Sequence, residues 1–430
     1  MSRGGAWAML LAAALAALLA PPPAGARAQE GNLRGLDDLP RVLEPGFTVV
    51  PYAATGGLAT SLTFGPDTRA GAEGRRLYVT DTLAGTVLAI DDLGGVGSGP
   101  DVFAEGLDGP LGIAAARDGS FYVADSEPDR AGPFGFRPYG RVWRIADDDG
   151  DGVADDYDVV LKDLPNGRHN TNGLAFGPDG MLYVTNGNST DDGIEGGQQE
   201  VVPWSGSVVR IAPGARDVSL ARLSPRKALV ATGWRNVYDL AFSPLDPTRL
   251  FVPMNGTDDA RKGSTGENPL DPGLGDSDDL LYATDVDDAR IDDFGFPSCL
   301  VNAAERGSLE PYDNPNPDVI DRFGRCRAAT PRPASSFGLH PSSDGLAFQR
   351  TAAWGRAHRN DLFVAEWGSL FGPPAGHDVV RVELDRAGRK VVRHSVFLEM
   401  DFPLDVTFDA AGALYVADYT GNIFKIDRII

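Results

Sequence analysis

The chain carries a repeated pattern of apolar segments separated by turn residues. Each copy opens with an apolar strand, passes through a turn containing Pro-Asp or Asp-Gly, and continues with a strand of the Leu-Tyr-Val type that ends in a polar residue. A third apolar strand completes the copy. Six copies are recognisable, and their second strands lie at 77–81, 121–125, 182–186, 250–253, 362–366 and 414–418.

Short apolar strands separated by frequent turns are typical of all-β proteins. Six sheets of about four strands, arranged radially, predict a six-bladed β-propeller. Two stacked β domains are the alternative, which the spread of equivalent copies over the whole chain disfavours. One further strand, 47–52, precedes the first copy, and we expect it to complete the last blade and so close the ring.

Long inserts rich in Gly, Pro, Asp and Asn interrupt the copies at about 126–141, 187–205, 253–279 and 286–343. Such loops on a rigid scaffold usually carry function. The start of each first strand and the end of each second strand lie at the same end of an antiparallel sheet. The residues expected at this common mouth are Asp81, Asp125, His169, Asn172, Asn186, Asn188, Arg235, Asn236, Asn255, Asp344, Glu366, Trp367, Asp405 and Asp418.

Composition and charge narrow the possible functions. Gly 53 and Pro 32 in 430 residues agree with many turns, and 42% apolar residues exclude disorder. The formal net charge is −22, which argues against general binding of nucleic acid or anionic lipid. Acidic clusters can instead hold divalent cations.

The first 28 residues predict a signal peptide. Arg3 precedes an apolar stretch at 8–20, and Ala26-Arg27-Ala28 matches an A-x-A cleavage site. We therefore expect the propeller to occupy 29–430 of a secreted or periplasmic protein with no membrane span. An uncleaved anchor is the alternative. In an oxidising compartment Cys299 and Cys326 would form one disulfide, because they share one irregular stretch.

An acidic loop with the spacing of a calcium site follows the second copy. Asp147, Asp149 and Asp151 occupy positions 1, 3 and 5, a glycine occupies position 6, and Val153 offers its carbonyl at position 7. Positions 9 and 12 are Asp155 and Asp158. We expect a structural calcium ion here, with a solvated acidic turn as the alternative.

Three segments near the mouth carry candidate chemistry. His169 precedes the third copy and is a candidate general base, or else a side chain that bonds a loop carbonyl. Arg235 offers a planar fork for an anion and Trp234 a stacking face, unless the arginine joins two blades through a salt bridge. Hydrolase nucleophile elbows, P-loops and dinucleotide fingerprints are missing from the sequence.

These residues resemble the glucose/sorbosone dehydrogenase family, six-bladed propellers that use pyrroloquinoline quinone (PQQ) and calcium. The similarity lies in 168–184 around His169, in 233–242 around Arg235, and in 275–280 followed by 293–297. It extends over about 43–430. The resemblance implies that His169 takes a proton from a sugar hydroxyl while hydride passes to the quinone, and that Arg235 and Asn236 face the cofactor. Trp234 and Asn186 complete the candidate cofactor site, and Asp258 or Asp278 is a weaker candidate near a second calcium.

The sequence also departs from this family. The last-blade Arg-x-Arg pair should fall near Asp405, and the fifth-blade lysine near Asp344, and neither cation is present. Carboxylates at these positions would repel the carboxylates of PQQ.

Three functions therefore stay open. The first is an exported sugar oxidoreductase with a small-molecule sugar as partner and an electron acceptor that the sequence does not identify. The second is a metal-dependent lactonase with Glu366, Asn186 and Asp418 on one ion. The third is a non-catalytic propeller that binds a carbohydrate or a protein.

Overall fold

The structure is a computed structural model that describes residues 39–132, 135–189, 194–195, 198–199, 202–256, 278–288, 290–297, 299–301, 311–313, 332–368 and 375–429. Within these ranges the chain is almost entirely β. A 3-10 turn at Leu220–Arg222 and one short helix, α1 (Pro225–Ala228), are the helical segments of the described residues. None of the described helices has the length and apolar character needed to cross a membrane.

Two strands precede the first blade, β1 (Arg41–Val42) and β2 (Phe47–Ala54). The strands of blade 1 are β3 (Ala59–Pro66), β4 (Arg75–Asp81), β5 (Thr86–Ile90) and β6 (Asp101–Ala104). Those of blade 2 are β7 (Gly112–Ala115), β8 (Phe121–Gly132), β9 (Gly135–Ala146) and β10 (Asp156–Pro165). The segment from blade 3 onward contains β11 (Thr171–Phe176), β12 (Leu182–Asn186), a small hairpin of β13 (Ile194–Glu195) and β14 (Gln198–Gln199), β15 (Ser207–Ile211), β16 (Val218–Ser219) and β17 (Leu229–Thr232).

Blade 4 and the segments around it contain β18 (Asn236–Val237), β19 (Ala241–Phe242), β20 (Arg249–Asn255), β21 (Asp278–Asp285), β22 (Asp292–Asp293), β23 (Cys299–Val301), β24 (Pro311–Asp313) and β25 (Ser335–Leu339). Blade 5 contains β26 (Ser343–Phe348), β27 (Leu362–Glu366), β28 (Asp378–Leu384) and β29 (Val391–Glu399). Blade 6 contains β30 (Pro403–Phe408), β31 (Leu414–Asp418) and β32 (Asn422–Arg428).

The six blades form a closed ring. In blade 6 the N-terminal strand β2 pairs antiparallel with β32, from Phe47 opposite Arg428 to Ala54 opposite Asn422. The described residues contain six hydrophobic clusters, each lying between two neighbouring blades, including one that joins blade 6 to blade 1. The predicted six-bladed propeller with an N-terminal closing strand is therefore confirmed.

The second strands are apolar at consecutive positions because both faces of each blade are buried. In β4, Leu77 and Val79 pack into the cluster between blades 6 and 1, whereas Tyr78 packs into the cluster between blades 1 and 2. Successive side chains of a strand point to opposite faces. A strand that is covered by neighbouring blades on both faces therefore needs apolar residues at every position. This requirement explains why the Leu-Tyr-Val signal recurs in the sequence.

Several elements differ from the expected four-strand blades. Short strands add to the outer edges: β16 to blade 2, β22 to blade 3 and β1 to blade 5. The insert at 126–141, expected as a loop, continues β8 and β9 as one long hairpin. Residues 1–38 and Cys326 lie outside the described residues, so the signal peptide and the disulfide stay predictions.

Candidate functional site

An arc of hydrogen-bonded side chains lies at the end of the channel where the inner strands begin, which we call the upper mouth. Asn172 Nδ2 of blade 3 donates to Asn236 Oδ1 of blade 4 at 3.1 Å. Asn236 Nδ2 donates to Asn255 Oδ1 at 2.5 Å, and Asn255 Nδ2 donates to Asp344 Oδ1 of blade 5 at 3.3 Å. Four of the residues predicted at the mouth are thus brought together from three blades.

His169 lies at the blade 3 end of this arc. Its Nδ1 donates to the backbone carbonyl of Asn188 at 3.0 Å, which selects the tautomer that leaves Nε2 as a proton acceptor. A Cβ at Gly187 would come within 2.5 Å of the His169 Cβ and 2.8 Å of Asn236 Oδ1. The lack of a side chain at 187 therefore lets the imidazole approach the arc. Both interpretations of His169, loop contact and candidate base, are compatible with this geometry.

The other candidate cofactor residues lie in different environments. Arg235 is 2% exposed, and its backbone carbonyl accepts from the amide of Asn188 at 2.6 Å. Trp234 is fully buried in the core between blades 3 and 4, where its ring stacks on Phe294 at 4.6 Å. Asn186 Nδ2 donates to the carbonyls of Pro165 and Trp204. Trp234 and Asn186 therefore serve packing and loop structure, and we no longer place them in the cofactor site.

Carboxylates that recur at the ends of the second strands stabilise turns and connections. Asp81 accepts from the amides of Leu83 and Ala84, and Asp418 accepts from those of Thr420 and Asn422. Asp125 differs, because it accepts from the amides of Asp108 and Gly109 in the connection that enters blade 2, and from Arg141. Backbone donors in a tight turn need such acceptors.

The metal triad of the lactonase hypothesis is not assembled. Asn186 is engaged with the carbonyls of Pro165 and Trp204. Asp418 caps a hairpin of blade 6, and Glu366 pairs with a carboxyl of blade 5. Among the described residues no group of three acidic or histidine ligands includes Glu366 and Asp418. We do not carry this function forward.

A histidine–carboxylate pair that the sequence did not reveal lies at the blade 5 end of the arc. His340 Nδ1 donates to Asp279 Oδ1 at 3.0 Å, and Asp279 also accepts from the amides of Gly256 at 2.6 Å and Ser343 at 2.7 Å. The Asp279 side chain is fully buried, whereas His340 is 21% exposed. The carboxylate fixes the tautomer of the ring, so His340 is a second candidate base at the mouth.

Glu366 and Asp378 form a buried carboxyl pair on blade 5. Burial and the neighbouring charge of Asp378 raise the pKa of Glu366 well above its ordinary value. Burial raises the pKa of Asp378 to about 6, against a hydrogen bond from Glu366 that lowers it. Two carboxyls in a low-dielectric site share a proton because both cannot ionise at acceptable cost. Asp378 Oδ1 is buried and has no hydrogen-bond partner.

Half-buried aromatic rings rim the mouth on blades 5 and 6. Trp367 lies 5.3 Å from Phe402 and 5.8 Å from Tyr419, as measured between ring centroids. The Trp367 Nε1 atom is buried without a hydrogen-bond partner. Rings with a free polar edge suit the apolar faces and hydroxyls of a sugar.

A constriction below the mouth, which we call the waist, divides the channel. The equivalent inner-strand positions are Ser61, Gly112, Gly173, Asp239, Gly345 and Asp405. The inner strands of blades 1, 3, 5 and 6 shift register at this level, and that of blade 4 is interrupted between β18 and β19. Such bulges re-aim side chains.

Tyr238 closes the waist from above. Its hydroxyl donates to the carbonyl of Thr60 on the opposite blade at 2.9 Å. Asp239 and Asp405 lie beside it. Burial raises the pKa of Asp405 to about 7, and burial together with the charge of Asp405 raises the pKa of Asp239 well above its ordinary value. Asp405 thus belongs to the waist rather than to the mouth, where we expected it.

The candidate calcium loop retains part of its predicted ligand set. Carboxylate oxygens of Asp147, Asp149 and Asp151 lie within 4.8 Å of one another. Asp155 accepts from the amide of Asp148, and Asp158 forms an ion pair with Arg216 at 2.7 Å. Asp158 lies in strand β10 and is engaged by Arg216, so its role as the position 12 ligand stays a prediction. The Val153 carbonyl stays a prediction.

The mouth does not fit PQQ as the family resemblance implies. The upper end of blade 5 presents the buried carboxyls Asp344, Glu366 and Asp378. No Lys or Arg occurs among the described residues at 340–346, 364–368, 376–380, 400–407 and 416–424. A ligand with three carboxylates would meet desolvated acids there instead of the cations that its buried charge requires. We therefore derive no step through this cofactor.

The solved structures that resemble this chain share its fold, but their sequence identity to it is low. A family described as a domain of unknown function, DUF7133, matches residues 80–228. No curated protein matches the chain. A calcium structure of a Trichoderma reesei carbohydrate-active enzyme of family AA12 is 17% identical with a TM-score of 0.70, covering 93% of this chain and 99% of that one.

Two further solved structures resemble this chain over most of its length. The holo form of the pyranose dehydrogenase PQQ domain from Coprinopsis cinerea is 16% identical with a TM-score of 0.69, covering 91% of this chain and 97% of that one. The PQQ-bound aldose sugar dehydrogenase from Streptomyces coelicolor is 19% identical with a TM-score of 0.57, covering 89% and 99%. The chain shares the fold of the sugar dehydrogenase propellers. At this identity the likeness establishes the fold, and function must be argued from the site.

Proposed function

We propose that this chain is a sugar oxidoreductase whose reaction takes place at the upper mouth. The observation that carries the proposal is the position of His169, with Nδ1 held by the Asn188 carbonyl and the ring beside the Asn172–Asn236–Asn255–Asp344 arc. The fold, shared with sugar dehydrogenases, supports the same assignment.

The mouth offers the parts that oxidation of a sugar hydroxyl requires. His169 Nε2 would accept the hydroxyl proton, while the amides of Asn236 and Asn255 would orient neighbouring hydroxyls. The carbon bearing that hydroxyl would lose its hydrogen as hydride to a two-electron acceptor, leaving a carbonyl. Trp367 would supply an apolar face for the ring.

The electron acceptor of this reaction is a separate part of the proposal. PQQ is the acceptor that the resemblance suggests, and the acids of blade 5 argue against it. We therefore treat PQQ as one arm of the test beside soluble artificial acceptors. Calcium is proposed at Asp147, Asp149 and Asp151, where it would brace the connection between blades 1 and 2, since the Gly150 carbonyl accepts from Ala70 of blade 1 at 2.7 Å.

Export is proposed from the predicted signal peptide at 1–28. Amino-terminal sequencing of the protein recovered from the culture medium or periplasm tests it. A start near Gln29 is expected, and a protein that keeps residues 1–28 would contradict the assignment.

The activity test measures reduction of a dye by a panel of aldoses, with and without added PQQ and calcium. We expect at least one sugar to reduce the dye, and His169→Gln to lower the rate by about 100-fold, within the usual range for loss of a general base. His394→Gln is the matched control, because His394 lies on the outer strand β29 and contacts Ser335. Equal loss in both variants would contradict the role of His169.

A non-catalytic sugar-binding protein is the second candidate, which the aromatic rim and the poor fit of PQQ favour. Sugar binding by calorimetry with no dye reduction under any condition would select this candidate over the first.

A further inference from the structure

A second cavity lies at the opposite end of the channel, below the waist. Its volume is about 520 Å³, within the range of small-molecule sites. All six inner strands contribute to it. The residues at its closed end are Ser61, Asp239 and Asp405, and the arginines among its lining residues are Arg75 and Arg350. We call it the lower cavity.

The wall of the lower cavity is apolar and repeats around the ring. The phenylalanines of this lining are Phe64, Phe176, Phe242, Phe348 and Phe408. These positions belong to the strand consensus, so the sequence pattern alone gives them a structural role. The two acids at the closed end do not follow the consensus, since the equivalent positions are glycine in three blades and serine in one.

Glycines in the neighbouring blades leave the space that the side chains of Asp239 and Asp405 occupy. A Cβ at Gly173 would lie 2.3 Å from Asp239 Oδ1, and a Cβ at Gly345 would lie 2.1 Å from Asp405 Oδ1. The neighbouring blades therefore leave room for the two carboxyl groups. Asp405 Oδ2 accepts from the Leu62 amide at 2.6 Å, and Asp239 Oδ2 accepts from the Leu346 amide at 3.3 Å.

The charge at the closed end has no cationic partner among the described side chains. Neither Asp239 nor Asp405 forms an ion pair with a described lysine or arginine. Arg75 and Arg350 donate instead to the backbone carbonyls of Phe64 and Phe242. Both acids line the same apolar cavity, and a carboxylate in such surroundings calls for a counter-charge.

We propose that the lower cavity binds a small organic cation, a protonated amine with an apolar body, whose ammonium group lies against Asp239 and Asp405. The ammonium would donate to carboxylate oxygens, and the apolar body would fill the space between the inner strands. This site is separate from the upper mouth, because Tyr238 and the waist lie between them.

Isothermal titration of the full chain with benzylammonium tests the proposal, with benzyl alcohol as the neutral probe of similar shape. We expect one site that prefers benzylammonium by at least tenfold. Asp239→Asn and Asp405→Asn should each weaken the binding by at least tenfold, because each removes the charge that the cation meets. Asp427→Asn, an exposed acid, is the matched control and should leave binding unchanged.

A cavity variant keeps the test decisive if either acid variant fails to fold. Thr407→Phe places a ring in the lower cavity and leaves both carboxyls in place, so it should abolish benzylammonium binding. Absence of binding to the wild-type chain, equal affinity for benzyl alcohol, or undiminished binding in the folded Thr407→Phe variant would each overturn the proposal.

Discussion

The Tyr238 hydroxyl of blade 4 donates to the Thr60 carbonyl of blade 1 at 2.9 Å, across the axis of the propeller. This hydrogen bond joins opposite blades, whereas the six hydrophobic clusters join only neighbours. It also closes the channel between the upper mouth and the lower cavity. The relationship therefore bears on both stability and the separation of the two sites.

Removing the Tyr238 hydroxyl should destabilise the fold. Tyr238→Phe leaves a buried carbonyl without this donor, and we expect a loss of about 1 kcal/mol in the free energy of unfolding. Tyr52→Phe is the matched control, since the Tyr52 hydroxyl is buried without a partner and its removal should be neutral or stabilising. Urea unfolding measures both. Equal losses in the two variants would show that the bond to Thr60 contributes nothing.

The glycines of the waist should resist substitution. Gly345→Ala places a Cβ 2.1 Å from Asp405 Oδ1, and we expect a cost of about 1–3 kcal/mol from overpacking. Gly214→Ala is the control, because a Cβ there meets no atom within 4 Å. Thermal unfolding compares them. A Gly345→Ala protein as stable as the Gly214→Ala protein would contradict the tight packing at the waist.

Stability should fall as the pH rises through the weakly acidic range. The pKa values of Asp378, at about 6, and Asp405, at about 7, exceed the ordinary value of 3.8, so the folded state binds more protons than the unfolded state between these limits. Their contribution is complete below about pH 4 and is lost as the pH rises to about 7. The energetic equivalent is about 1.4 kcal/mol per unit of pKa difference.

Other groups make the fold more stable as the pH rises, and they do so over different pH ranges. Burial lowers the pKa of His394, which adds stability as the pH rises toward 6.5. Hydrogen bonds lower the pKa of Asp67 and Asp246, so their contribution is lost only as the pH falls below 3.8. Urea unfolding from pH 5 to pH 8 measures the sum. Asp405→Asn should flatten the decline, and an unchanged slope would contradict the shifted carboxyl.

Calcium should stabilise the chain through the acidic loop. At 100 times its dissociation constant a ligand adds about 2.7 kcal/mol, so excess calcium should raise the melting temperature and a chelator should reverse the effect. Asp149→Asn should remove the calcium response, because Asp149 belongs to the carboxylate cluster. Asp158→Asn should preserve it, since Asp158 pairs with Arg216. Loss of the response in Asp158→Asn alone would reverse these assignments.

The sequence predicted the blades because their apolar strands must pack on both faces, and Leu77, Tyr78 and Val79 show this directly. The same repetition misled the prediction of the mouth. Asp81 and Asp418 recur because each copy needs the same turn, so they stabilise the repeat itself. The residues that break the repeat, such as Tyr238 and Asp239, lie on the channel axis instead.

Pairs formed between blades could not be predicted from one sequence. His340 and Asp279 are 61 positions apart and meet only because β25, which ends at Leu339, pairs with β21. Trp234 seemed available for stacking because its neighbour Arg235 carried the resemblance, and only the packing of blades 3 and 4 reveals it as a core residue. Proximity across blades depends on register, which local patterns do not encode.

The most direct test of the sugar oxidoreductase proposal is the amount of oxidised sugar formed per dye reduced, measured with an aldose deuterated at C1. The account predicts one oxidised sugar per two electrons received by the dye and a slower rate with the deuterated sugar. In His169→Gln, sugar oxidation and dye reduction should both slow by about 100-fold. Sugar recovered unchanged under every acceptor condition, or dye reduction that His169→Gln leaves intact, would contradict it.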